Sequence, residues 1–464
     1  MTIDHLPRID IYLDSQGDAA SAVLRLPEFE EDERACLGQP LDQMPRRNHC
    51  RCDISALSHR VAAAKAVDAA YHVVPPPTAQ KLREMLCVTG YLTDITTHLT
   101  LTSTPELSQF VLELNRKASH AYKAGRTIID LLGEAVPGGM AHGLTDEQRR
   151  EISRLGGWLI DFAQRGVQRF NDEVLADEAY LDRLMDDVFY GCVYNLGTVD
   201  ARHRVNLYDG ALRVAAPNGH RLQEIPPCYL DNLIAEYDEP ETDVQYSYLK
   251  AIGWKGLVDG RDSGVFCASP LSRMNAAEGM ATPRAQAEYE QFFDALVAEE
   301  GARYFSTGPG RALHHVLSTH WARLIEMLYA AERIVELAED PTLSADDVRA
   351  VPTEPPTDGI GIVEAPSGTI IHHYWADERG CVSKARVMSG TRNNLAAIGL
   401  TIKKAAQACI RRRSLTTDGL RKSIELVIQA YDPCLRSIAG AGPDRQSLPI
   451  VIRNPRGQVL NSIP

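Results

Sequence analysis

Thiols and imidazoles gather at two places in this chain. Cys50 and Cys52 stand beside His49, with His59 a little further on, just ahead of a run of helical periodicity; Cys434 follows Tyr431-Asp432-Pro433 just after another. Thiolate and imidazole are soft to borderline donors that suit nickel, zinc and iron, and a metal site commonly draws them from distant parts of a chain. The spacing by itself is undemanding, because Cys-x-Cys is not the Cys-x-x-Cys pair and a free cysteine is most often a small buried hydrophobe. His49 and Cys50 either rebuild a mononuclear site with Cys52 or are incidental. His372 and His373 lie in a strand pattern, so their side chains face opposite ways and cannot serve one metal together. His314 and His315 diverge on a predicted helix, and His98 in His98-Leu99-Thr100 is a lone polar residue with no evident partner. Glu33 closes the acidic run Glu30-Glu31-Asp32-Glu33, which suits either a solvated face or a carboxylate that ferries protons or binds a divalent ion. The other seven cysteines show no ligand spacing.

These residues need a scaffold that joins distant segments, and the pattern supplies one. Residues 9–27 alternate apolar and polar around Ser15-Gln16-Gly17-Asp18 and predict a hairpin. From Ser58 an Ala-rich helix runs to Pro75-Pro76-Pro77, which no helix continues through. Helical periodicity then covers about 78–100, 106–133 and 145–172, with a shorter stretch near 178–190. An irregular, loop-rich insertion occupies 193–275. Helices return at 283–299 and 312–338, the second with Leu317, Trp321, Leu324, Ile325 and Leu328 on one face. A hairpin turns at Pro366-Ser367-Gly368, helices cover 393–411 and 416–431, and a last hairpin turns at Asn454-Pro455-Arg456-Gly457. The expected fold class is mainly α (α+β), a central helical bundle with peripheral β hairpins. Residues 1–464 read as one unit with five parts: 1–57 with the first hairpin and Cys motif, 58–192 helical bundle, 193–275 insertion, 276–440 with the second Cys motif, and 441–464 a retained C-terminal tail.

Composition excludes several functions. The chain of 464 residues carries 49 Lys and Arg against 62 Asp and Glu, a net charge of -13, which repels a phosphate backbone. No nucleic-acid partner is expected. No stretch approaches the roughly 18 apolar residues of a membrane span, so no transmembrane segment is expected either. The opening residues lack the apolar core of an export signal, and ten cysteines are too sparse for a disulfide scaffold. A reducing cytoplasm is the expected location.

The flanking text resembles the large subunit of nickel-iron hydrogenases, in particular the soluble bidirectional, NAD-linked group. That family carries an N-terminal RxCGxCxxxH motif and a C-terminal DPCxxC motif. Here the first is similar to Cys50-Arg51-Cys52-Asp53-Ile54-Ser55-Ala56-Leu57-Ser58-His59 and the second to Asp432-Pro433-Cys434-Leu435-Arg436-Ser437. The stretches SHRVAAAKAVDAA, SYLKAIGWKGLVDGRDSGV, MNAAEGMATPRAQAEYEQFF, THWARLIEMLYAAER and GIGIVEAPSGTIIHHY also look like family text, in family order, so the resemblance spans essentially the whole chain.

The departures bear on chemistry. The resemblance implies that the first Cys of each pair is a terminal nickel ligand and the second bridges nickel and iron. Cys52 and Cys434 then stand at the terminal positions, and Ser55 and Ser437 replace both bridges. A serine hydroxyl is a hard, protonated, weak donor that bridges soft metals far less readily than sulfur. The family's APRG segment, whose Arg overhangs the metals, is Ala365-Pro366-Ser367-Gly368, with Ser367 at the Arg position. Glu33 matches a Glu that helps bind a structural divalent ion, but Gly440 replaces the partner His, after which a maturation protease normally cuts.

The resemblance thus implies a large-subunit-like component of a heteromeric oxidoreductase with an altered or repurposed site. Its partners would be a small subunit carrying iron-sulfur clusters and an NAD-linked diaphorase module. Cys52 and Cys434 either hold nickel or another single metal with Ser55, Ser437 or His59, or persist as packed side chains without metal, or pair as a disulfide; a nickel-iron cluster is disfavoured. The alternative is a catalytically silent structural subunit, and ordinary hydrogen turnover ranks last.

Overall fold

The computed structural model describes residues 7–26, 29–47, 55–101, 108–176, 181–182, 184–240, 242, 244–304, 312–411, 414–433 and 448–463. Helices α1 (Phe29–Cys36), α2 (Ala56–Ala70), α3 (Pro77–Leu101), α4 (Ser108–Leu132) and α5 (Asp146–Phe170) come first. They are followed by α6 (Pro270–Ala276), α7 (Pro283–Tyr304), α8 (Thr319–Ala338), α9 (Gly390–Cys409) and α10 (Thr417–Tyr431). The long helices α3, α4, α5 and α8 pack side by side as the central bundle. Their borders follow local chemistry: Pro77 opens α3 after the proline run, and a Thr145 capping box with Gln148 opens α5. The fold is therefore mainly helical with peripheral sheets, as the periodicity predicts.

The insertion at 193–275 is more ordered than its turn-rich text suggests. Two-residue strands pair as β3 (Ala135–Val136) with β4 (Gly139–Met140) and as β14 (Ile410–Arg411) with β15 (Ser414–Leu415); within the insertion, β5 (Tyr194–Val199), β6 (Ala211–Ala215), β7 (Arg221–Ile225) and β10 (Phe266–Cys267) form one sheet, and β8 (Ile234–Glu239) pairs with β9 (Val244–Leu249) as a separate hairpin. Short strands separated by Gly and Asp turns look like loop in a sequence because each buries only a few side chains. The predicted helix at 312–338 begins later, at Thr319, after a 3-10 turn over Val316–Ser318. His314 and His315 therefore precede the helix instead of diverging along it, and their rings flank Tyr190 with centroids 5.4 and 5.2 Å away. Of the stretch near 178–190, the described part is a fragment ending in a 3-10 turn at Asp187–Phe189.

Two sheets hold the ends of the site elements. Strands β11 (Asp358–Ala365), β12 (Gly368–Ala376) and β13 (Val382–Met388) form an antiparallel meander, with β11 and β12 joined through Pro366 and Ser367. Helix α2 lies directly on β11. A Cβ at Gly359 or Gly361 would collide with the backbone of Ala62, Ala66 and Ala70, so the Gly-Ile-Gly text of the strand and the alanines of the helix are two sides of one close approach. The second sheet has the order β17-β16-β1-β2, formed by β1 (Arg8–Leu13), β2 (Ala19–Arg25), β16 (Ile450–Arg453) and β17 (Val459–Ile463). Both terminal hairpins form where the alternation places them. Their parallel pairing, Ile9 with Ile450 through Tyr12 with Arg453, joins the two ends of the chain in one sheet.

Candidate functional site

Ser55 is the second member of the first motif's cysteine-serine pair and its only described member. It is buried and caps α2 with left-handed backbone, φ 64° and ψ 4°. Its amide donates to Asp94 Oδ2 of α3 at 3.0 Å, and its hydroxyl does not cap the helix. One turn on, the buried His59 places Nδ1 2.9 Å from His372 Nε2, and His372 Nδ1 lies 2.5 Å from the Tyr374 hydroxyl. Burial holds the Tyr374 phenol well above its ordinary pKa. His372 and Tyr374 share one face of β12. His373 faces the other way, its ring stacked on Trp375 at 3.5 Å and its Nε2 3.2 Å from Asp358, as strand alternation requires.

Ser367, at the position of the family arginine, is buried in the β11–β12 turn, where its carbonyl accepts from Asn394 Nδ2 at 2.9 Å. The same Asn394 accepts from the Ala268 amide at 2.7 Å. The turn rests on the start of α9, where a Cβ at Gly390 would stand 2.6 Å from the Gly368 amide. Beneath it lies a polar network that the sequence does not announce. Arg273 donates to Glu326 at 2.7 and 2.8 Å, to Glu364 at 3.0 Å and to the Tyr91 hydroxyl at 2.9 Å. Glu364 also accepts from the Thr198 amide and hydroxyl and from Thr369. Arg273, Glu326 and Glu364 are 0% exposed. Burial would lower the Arg273 pKa, but Glu326, Tyr91 and Glu364 outweigh it and raise it well above the usual value.

At the second motif, Asp432 ends α10 with φ 46° and its Oδ2 lies 2.9 Å from His98 Nδ1. The expectation that His98 has no partner is thus corrected: its partner lies at the opposite end of the chain. Arg323 of α8 grips the last turn of α10 through the carbonyls of Gln429 and Ala430, at 3.1 and 2.6 Å, and approaches His98 Nε2 at 3.4 Å. Glu33 is half-buried, and its Oε1 accepts from the Val387 amide at 3.0 Å and from Arg392 Nη1 at 2.6 Å. A guanidinium and an N–H thus satisfy the carboxylate that the resemblance assigns to a divalent ion. Cys52, Cys434, Ser437, His49, Cys50 and Gly440 lie outside the described residues. Among the described residues no three His, Cys, Asp or Glu side chains converge on a metal-sized site.

No family model matches the chain. An F420-non-reducing hydrogenase iron-sulfur subunit from Archaeoglobus profundus is 32% identical over 98% of this chain and 96% of its own length. The chain belongs to the nickel-iron hydrogenase large-subunit family. The beta subunit of the NAD-reducing hydrogenase HoxS from Cupriavidus necator is 29% identical, covering 94% of this chain and 93% of its own. A crystal structure of an NAD+-reducing nickel-iron hydrogenase in the H2-reduced state superposes with a TM-score of 0.76 at 26% identity, covering 92% of this chain and 94% of that one. Relatives thus include NAD-reducing and F420-non-reducing hydrogenases, which places the chain as a hydrogenase large-subunit-like protein. Among the described residues no helix is long and apolar enough to cross a membrane.

Away from the motifs, three cysteines are packed in the interior and one is exposed. Cys36, Cys87 and Cys267 are buried, and burial pushes the Cys87 thiol up to about 12. Because the thiolate is the nucleophile, brief alkylation of the native chain will modify the exposed Cys228 and spare Cys36, Cys87 and Cys267 until urea is added. Peptide mapping reads the result.

Proposed function

We propose that this chain is the large-subunit component of a heteromeric oxidoreductase whose dinuclear centre has been reduced to a single-metal site. Cys52 and Cys434 supply two thiolates, and Ser55 and Ser437 stand where bridging sulfur is needed. The observation that carries this reading is the state of Ser55. It is buried, in left-handed backbone, with its amide donating to Asp94, which supports the reading of a bridging position kept in the fold with oxygen as its donor atom. Two soft thiolates with hard hydroxyl neighbours suit one nickel, zinc or iron ion. They do not fit a nickel-iron pair, whose iron depends on both bridges for its protein ligands. The replacement of the family arginine by Ser367 and the capture of Glu33 by Arg392 support the same conclusion.

By analogy with its NAD-reducing relatives, the chain pairs with a small subunit carrying iron-sulfur clusters and with an NAD-linked diaphorase module. His59 serves as a support for the site, since His372 already engages its Nδ1. Elemental analysis of the natively purified complex, with infrared spectroscopy, tests the proposal. The expected result is about one metal ion bound by this chain and no cyanide or carbonyl bands. Equimolar nickel and iron with such bands would overturn it, and a metal-free chain would make the structural-subunit reading the correct one.

A further inference from the structure

Four described non-glycine residues have positive φ, and two of them are Ser55 and Asp432, the described residues that border the two cysteine motifs. Left-handed backbone is unfavourable for a non-glycine residue and persists only where its surroundings fix it. Asp tolerates it at a helix C-cap, but Ser is a poor choice for an N-cap with φ 64°. What fixes these two residues is the same helix. Asp94 takes the Ser55 amide and His98 takes the Asp432 carboxylate. Positions 94 and 98 are one turn apart on α3, about 6 Å along its axis. Tyr91, three residues before Asp94 on the same face, receives Arg273 of the network beneath the Ser367 turn.

We propose that this polar face of α3 is a bracket, with Asp94 and His98 as positioning residues that tether the strained hinge of each cysteine motif to one rigid helix. The tether sets the separation of the two motifs. Arg323 completes it: its guanidinium lies 3.4 Å from His98 Nε2, on the far side of the ring from the Nδ1 that stands 2.9 Å from Asp432 Oδ2. Two weak hinges thereby share one reference, and α3 in turn is packed against α4 and α8 and cannot shift without disturbing the bundle core. A His as buried as His98 is costly to place on a helix unless it meets a polar partner, and both it and the partly buried Asp94 meet theirs across the fold at the motif borders.

The inference is independent of metal content, so its test is separable from metal analysis. The full chain is compared with Asp94→Ala, Asp94→Asn, His98→Ala and His98→Asn. Hydrogen exchange with mass spectrometry follows peptides spanning 55–59 and 428–433, and, after the native chain is stripped of metal by a chelator and reduced, dibromobimane, which joins only closely spaced thiols, probes the pair Cys52 and Cys434 by peptide mapping. In the parent the linked peptide should form. Asp94→Ala should speed exchange in the first peptide at least tenfold and His98→Ala in the second, and each should lower the linked peptide at least tenfold. Asn keeps an acceptor oxygen at 94 and a donor nitrogen at the place of Nδ1 at 98, so both Asn variants should return to parental values; a merely structural loss would not be rescued this way. The bracket is refuted if the parent forms no linked peptide or if the alanine variants keep parental exchange and linkage. Asparagine variants as damaged as the alanine ones would refute it too, and they carry the test should an alanine variant fail to fold.

Discussion

Replacing Arg273 by methionine will lower folding stability by about 5 kcal/mol, the upper end of the roughly 3–5 kcal/mol range for breaking a buried ion pair by removing one partner. The upper end applies because two carboxylates, Glu326 and Glu364, lose their counter-ion together while both are 0% exposed. Neither can reach water, and the donors that remain, the Tyr91 hydroxyl for Glu326 and Thr198 and Thr369 for Glu364, are neutral. A natural domain is stable by about 5–15 kcal/mol in total, so the variant should accumulate poorly or show a sharply lower urea midpoint. Glu326→Gln is the informative partner. It keeps an acceptor for Arg273 and leaves a balanced pair with Glu364, so its cost should be only about 1–2 kcal/mol, on the scale of an altered hydrogen bond. A methionine variant with the parental midpoint would show that the network is not held by its charge.

That network also shows what a sequence can and cannot convey. The helices are legible because their period is local: the apolar stripe of α8 and the proline stop before α3 need no partner to be read. The motif texts, with Ser55 and Ser437 in place of sulfur, are legible by resemblance because they are contiguous. Arg273, Glu326 and Glu364 lie on three elements, and nothing near any of them announces the other two. His98 looks isolated for the same reason, since its partner Asp432 closes α10 far along the chain. A usable signal does exist: Tyr91, Asp94 and His98 recur at helical spacing on a helix otherwise rich in buried apolar residues. Buried polar groups on one face require partners, so that stripe marks α3 as the helix facing the chemistry. Glu33 misleads in the opposite sense, because an acidic run reads as a wet surface unless Arg392 is known to sit against it.

Deleting residues 448–464 will prevent the chain from folding to a soluble form. Strand β16 is an inner strand of its sheet, hydrogen-bonded to β1 on one side and β17 on the other, and Ile450, Val451, Ile452 and Ile463 are buried. Burying such a side chain contributes about 1.5–3 kcal/mol, so four of them amount to about 6–12 kcal/mol, comparable with the whole net stability of a domain. The cut would also unbalance Asp10. This 0% exposed carboxylate is held by Arg8 at 3.1 Å, by Arg453 at 3.0 Å and by Arg25, and Arg453 belongs to the tail. Strand β1 would become an open edge beside Ile9 and Ile11, a template for aggregation. The effect would reach the site, because β2 of this sheet packs on α9, whose first turn supports Ser367. A tail that supplies an inner strand is a working part of the fold. Intact mass of the native protein should therefore include Pro464. A native terminus near Gly440, or a truncated chain that is soluble and melts with the parent, would show that the strand pair is dispensable.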